Sequence, residues 1–142
     1  MTRDSCVFDS QLTMSEGSLV KVGLGLVDIR LKRAYEPALA TDGYRVLIDR
    51  LWPRGVSREE ARLDEWAREL APSAELRRWF SHDPARFEDF RRRYAEELAL
   101  HETKLDELRR RAQDGTVTLV YGAKDTEHND AVVLAEILEK DL

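Results

Sequence analysis

The chain has 142 residues, a formal net charge of −5, 42% apolar residues and 36% charged residues. One domain is the default at this length, with about 68–70% of the unfolded surface available for burial. The acidic balance argues against bulk attraction to nucleic acid. The lone cysteine, Cys6, builds no disulfide framework or zinc site.

No apolar run approaches the roughly 20 residues needed to span a bilayer. Arg3 and Asp4 precede no apolar signal-peptide region. The expectation is a cytoplasmic protein that makes no use of a membrane. Residues 1–18 are polar and aperiodic, and read as a disordered or loosely attached segment. Residues 19–142 read as one domain, and Gly23 and Gly25 lead into its first strand.

From Val27 to Lys32, Val27, Ile29 and Leu31 alternate with Asp28, Arg30 and Lys32, the period of a half-buried strand. A loop then ends in a turn at Asp42-Gly43. The second strand, Tyr44 to Asp49, holds the continuous run Val46-Leu47-Ile48, which predicts burial on both faces. Ser57 and Glu60 have capping-box spacing, so a helix is expected from Arg58, with Leu63, Trp66, Ala67 and Leu70 on its apolar stripe. Pro72 stops it, and Ser73 caps a short helix through Phe80.

Asp83-Pro84 starts a helix reaching about Leu100, with Phe87, Phe90, Tyr94 and Leu98 in one stripe. Another follows from about Glu102 to Gln113. Thr116 to Tyr121 reads as a short buried strand, and a last helix runs from about Glu127 to Glu139. Strands alternating with helices predict an α/β fold, with a short, mostly parallel sheet and helices on both sides. In such sheets ligands sit beyond the carboxyl ends of the strands. Two loops leave there, 49–55 and 121–129.

The first loop, 49-DRLWPRG-55, carries more chemistry than a turn requires. Arg50 and Arg54 have guanidinium forks suited to phosphate or carboxylate oxygens. Gly55 allows close backbone approach. Trp52 is either a pocket wall or a core cap with its N–H bonded. Arg30 and Arg45 are candidates for the pocket rim. The second loop sets Lys124 beside a helix start, with His128 as a proton carrier near neutral pH. Helix capping by Asp125, Thr126 or Asn129 is the plainer reading. The three histidines have no metal-ligand spacing, and neither a Walker A loop nor a nucleophile elbow is present. The triplets at 91–93 and 109–111 are interleaved with acids, as on a solvated helix face.

The stretches 42-DGYRVLIDRLWPRGVSREEARLDEWARELAPSAELRRWFSHDPARFEDFRRRYAEEL-98 and 117-VTLVYGAKDTEHNDAVVLAEIL-138 resemble the domain of unknown function 488 family, in its YeaO-like branch. The likeness runs from about Val27 to Leu138. Other branches of that family carry a D-x-R-x-x-P-R-S type loop after the second strand. The resemblance therefore implies Asp49, Arg50 and Arg54 as site residues. Those branches end the last loop in A-E-K-D and then C-H-R. Here Lys124 and Asp125 persist, but Asn129-Asp130-Ala131 stands at the C-H-R position, so cysteine chemistry does not carry over. Tyr121, Lys124, His128 and Asn129 are typical of the YeaO-like branch.

Loops 49–55 and 121–129 are thus expected to converge on a positively charged pocket for a small phosphorylated or carboxylated ligand, with no cofactor. Arg50, Trp52, Arg54, Gly55, Tyr121, Lys124 and Asn129 are the candidate binding residues. Asp49, Asp125 and His128 are candidate proton carriers if a hydrolysis or transfer reaction occurs. The alternative is a non-enzymatic protein- or RNA-interaction module using the charged helices from Pro84 to Gln113.

Overall fold

The computed structural model describes residues 27–140. The N-terminal segment, the lead-in at Gly23 and Gly25, and Cys6 lie outside them. Four strands form one sheet in the order β1-β4-β2-β3. They are β1 (Asp28–Arg33), β2 (Tyr44–Leu47), β3 (Glu65–Trp66) and β4 (Thr116–Tyr121). Every pairing is parallel: Asp28 lies opposite Thr116, Tyr44 opposite Val117, and Val46 opposite Glu65. The sheet is an α/β sheet as expected, and wholly parallel.

The helices are α1 (Arg58–Ala61), α2 (Ala74–Phe80), α3 (Phe87–Leu98), α4 (Glu102–Asp114) and α5 (Asp130–Lys140). Their placement is lopsided. Val46, Ile48, Val117, Leu119 and Tyr121 point to one face and pack with α2 to α5 in one core cluster. The Phe87-Phe90-Tyr94-Leu98 stripe of α3 is buried there, as its spacing predicts. The Tyr94 hydroxyl donates to the Leu70 carbonyl, and burial holds it well above its ordinary pKa. Leu47 and Val120 point to the other face, where a small cluster of Ala34, Trp52, Leu63 and Trp66 covers them. The single-turn α1 is the helix of that side; its Ala61 carbonyl accepts from Arg45 Nε.

The expected helix from Arg58 to Leu70 is corrected here. The capping box forms, with Glu60 N donating to Ser57 Oγ and Ser57 N donating to the Glu60 carboxylate. The helix nevertheless stops after one turn, at Arg62 in the left-handed conformation. Asp64 then accepts from Arg45 N, and Ala67 N donates to the Leu47 carbonyl, so the chain is drawn alongside β2. The apolar residues do not share a stripe: Leu63 and Trp66 join the small cluster, while Ala67 and Leu70 join the large one. Opposite faces are reached by a short strand, not by one helix. Among the described residues, no helix is long and apolar enough to cross a membrane.

Candidate functional site

β2 and β4 both end at a cleft of about 440 Å³. Its less exposed part is formed by Asp49, Asp130, Gly122 and Phe90. Arg50, Arg77, Arg78, Ser81 and His82 stand exposed around the opening. Phe80, Pro72 and Leu51 supply apolar wall. The position fits the rule that open parallel sheets hold ligands beyond their strand carboxyl ends.

Asp49 follows the buried run Val46-Leu47-Ile48 directly, so it leaves the sheet at the cleft. Its Oδ2 accepts from Gly122 N at 2.8 Å, which ties the β2 exit to the β4 exit. Asp130 is the first residue of α5. Its carboxyl hydrogen-bonds with Asp49. Burial first, and then the neighbouring Asp49 carboxylate, raise its pKa well above the usual carboxylate range. Two carboxyls this close in low dielectric do not both ionise readily. The pair therefore holds a proton.

That proton sets a stability dependence. An acid with a raised pKa in the folded state binds its proton more tightly there than when unfolded, so stability falls as pH rises through the folded pKa. Asp130→Asn keeps a donor facing Asp49 and removes the titration. Its melting temperature should match the wild type near pH 3, below the ordinary aspartate pKa of about 3.9, and exceed it near pH 8, with roughly 2–4 °C for each kcal/mol gained. A wild-type-minus-variant difference that stays flat between those pH values would refute the shared proton.

The opening is made by the end of α2. Ser73 Oγ caps that helix at Leu76 N and also donates to the Glu97 carboxylate, docking α2 on α3. α2 ends in two consecutive left-handed residues, Ser81 with φ 50° and His82 with φ 56°. Strained residues of this kind cluster at functional sites. The cations are available: Arg50 makes one hydrogen bond, to the Pro72 carbonyl at 3.4 Å, and among the described residues no carboxylate pairs with Arg50, Arg77 or Arg78.

Of the residues singled out in the sequence, Asp49, Arg50 and Asn129 line the cleft, with Gly122 and Ala123 of the second loop. Asn129 is occupied as a helix cap, accepting from Val132 N and donating to the Asp125 carbonyl. Tyr121 is buried in the core, where burial and Glu36 raise its pKa. Trp52 is a core cap: its Nε1 donates to the Val56 carbonyl, and its ring meets Trp66 edge-on at 5.4 Å. Arg54 and Lys124 are exposed and off the cleft lining. Gly55 has φ 81°, with open space where a Cβ would stand, and borders a separate hollow with Glu59 and Glu60. Its role here is the positive φ of a turn.

Asp125 and His128 form a pair of their own. Asp125 Oδ1 accepts from the Glu127 and His128 backbone, and His128 Nδ1 lies 2.9 Å from Asp125 Oδ2. Those backbone N–H groups, and then the imidazole, hold the Asp125 pKa low. The imidazole stands edge-on to Phe87 at 5.1 Å, away from the cleft lining. Arg45 and Arg30 do not reach the rim: Arg45 is buried against Asp42, and Arg30 pairs with Asp28 on β1.

Four cleft residues escaped the sequence reading: Arg77, Arg78, His82 and Asp130. No local signal marks the arginines: Glu75 stands three residues before Arg78, the spacing at which Glu88 and Asp89 pair with Arg91 and Arg92. Among the described residues, no group of three or more His, Cys, Asp or Glu side chains converges as a metal site.

A wholly parallel open sheet with a charged cleft past its strand ends defines the class of protein. The chain belongs to the family described as the Inactive DUF488-N3 subclade, whose model matches residues 28–142. It is similar to the uncharacterized protein YeaO of Escherichia coli (strain K12), 46% identical over 112 residues, covering 79% of this chain and 97% of that protein. It is also similar to the uncharacterized protein Rv3073c of Mycobacterium tuberculosis (strain ATCC 25618 / H37Rv). There the identity is 41% over 111 residues, covering 78% of this chain and 92% of that protein. No solved structure matches the chain.

Proposed function

We propose that this protein binds a small phosphorylated or carboxylated ligand in the cleft between the β2 and β4 exits, without transforming it. The observation that carries this reading is the set of three guanidinium groups, Arg50, Arg77 and Arg78, that line the cleft and have no carboxylate partner among the described residues. Free guanidinium forks at a cleft favour anion recognition over structural pairing.

Two further points favour binding over catalysis. The matching family is described as inactive. At the position where other branches carry C-H-R, this chain has a helix cap (Asn129), a paired acid (Asp130) and a buried alanine (Ala131). Ser81, the hydroxyl on the cleft lining, bonds to no base among the described residues. The charged helices offer less for an interaction module. Arg91 and Arg92 bond to Glu88, Glu136 and Asp89, and Arg109 caps the Ile137 and Leu138 carbonyls at the end of α5.

A thermal-shift screen in phosphate-free buffer tests the reading, using inorganic phosphate, sugar phosphates, nucleotides and dicarboxylates. A ligand at a hundredfold its Kd stabilises the folded state by about 2.7 kcal/mol. The shift should vanish in Arg77→Ala/Arg78→Ala and persist in Arg54→Ala, whose side chain is off the cleft. No shift with any anion, or one that survives the double variant, would reject the cleft as an anion site.

A further inference from the structure

The cleft is electrically two-ended. Asp49 and Asp130 sit in its less exposed part, and Arg50, Arg77 and Arg78 stand exposed around the opening. Phe80, Phe90 and Pro72 add apolar surface to the same lining. A purely anionic ligand satisfies the opening but meets two carboxyls at the inner end. One Asp49 oxygen accepts from Gly122 N, and the Asp130 carboxyl bonds to Asp49 and to the backbone N–H groups of Asp130 and Ala131.

We propose that the cleft takes a zwitterionic small molecule, with a protonated amine seated on Asp49 and Asp130 and a phosphate or carboxylate held by Arg50, Arg77 and Arg78. The proposal rests on the anion reading given above and names the ligand class. An ammonium group has three donors and no acceptor, which matches an acceptor-rich inner end. It also brings a positive charge beside the buried Asp130 carboxyl, the group whose pKa burial raises. A short aliphatic spacer suits the apolar walls. The volume, about 440 Å³, falls in the range of small-molecule clefts, about 300–1,000 Å³. The titratable groups that interact with the pair are Tyr94 from α3 and Tyr121 from β4, while Arg50, Arg77, Arg78 and His82 share the cleft lining.

The experiment compares matched probes by isothermal titration calorimetry at fixed ionic strength: phosphoethanolamine, ethyl phosphate and ethanolamine, then β-alanine against propionate. The amine-bearing anion of at least one pair should bind about tenfold or more tightly than its amine-free partner, a difference of about 1.4 kcal/mol. Which pair responds distinguishes phosphate from carboxylate. Asp130→Asn should erase the preference while ethyl phosphate or propionate still binds, and Arg77→Ala/Arg78→Ala should weaken both members of the pair. Equal binding of amine-bearing and amine-free anions overturns this inference and leaves the anion site standing. No binding by any anion overturns both. Ethanolamine binding as tightly as phosphoethanolamine overturns the two-ended arrangement.

Discussion

Asp42→Ala is expected to destabilise the protein by about 3–5 kcal/mol, the cost of removing one partner from a buried charged group. Asp42 lies 7% exposed and Arg45 3% exposed, on the sheet face away from the long helices. The Asp42 carboxylate accepts from Arg45 Nη1 at 2.6 Å, from Lys32 Nζ at 3.1 Å and from Leu39 N at 3.0 Å. Among the described residues Arg45 Nη2 is buried without a hydrogen-bond partner, and the guanidinium's other bond runs from Nε to the Ala61 carbonyl. Alanine would leave two cations facing apolar surroundings.

The pH dependence follows from the same contacts. Burial pushes the Asp42 pKa up, but the Leu39 N–H and then Lys32 and Arg45 outweigh it and hold it below its ordinary value. A depressed carboxylate stabilises the fold above its unfolded pKa, and that contribution is lost as pH falls through the folded value. Urea denaturation from pH 7 down to pH 3 should show wild-type stability declining and Asp42→Ala declining less. A second substitution, Arg45→Met, should recover part of the loss by removing the stranded charge. A change below 1 kcal/mol in Asp42→Ala would show that the cluster contributes little.

Gly43→Ala is expected to be comparably damaging, for a steric reason. Gly43 has φ 68° and ψ −132°, and a Cβ there would stand 2.3 Å from the Thr116 carbonyl oxygen. That oxygen belongs to the first residue of β4, the central strand, and cannot shift without disturbing the register with β1 and β2. Backbone strain of about 1–3 kcal/mol and overpacking of about 1–3 kcal/mol both apply. Gly55→Ala supplies the control. Its φ is 81°, with open space around the new Cβ, so it should cost about 1 kcal/mol. Equal midpoints for the two variants in urea would refute the role assigned to the Thr116 contact.

These two residues show what the sequence conveyed and what it hid. Asp42-Gly43 was readable as a turn from residue type alone. That the aspartate anchors Arg45 and Lys32, and that the glycine clears a strand far along the chain, depends on contacts no local pattern encodes. Asp28–Arg33 was legible from the alternation of its residue types, and Thr116–Tyr121 from a short apolar run that is buried from Val117 onward. β3 was not, because two residues carry no period. Trp66 lies three residues from Leu63 and four from Leu70, a spacing that mimics a helix while serving opposite faces.

At the site, Asp49 and Arg50 were legible because they directly follow a buried strand in a parallel sheet. Arg77, Arg78 and His82 were not, because their place depends on how α2 docks on α3 through Ser73 and Glu97. Asp130 was visible only as a missing histidine. Its partnership with Asp49 joins two loops 81 positions apart in the numbering.

The order of the strands bears on synthesis. β1 and β2 touch each other nowhere in the sheet; each reaches the other through β4, which follows both of them in the chain. While the chain emerges from the ribosome at about 5–20 residues per second, β1 has no neighbour to bond. It must wait for more than eighty residues before Thr116 appears opposite Asp28. The strand between them acts as a keystone set after both its neighbours. Released fragments ending before residue 116 should therefore be digested by protease throughout β1, whereas the chain carrying β4 and α5 should protect β1 and β2 together.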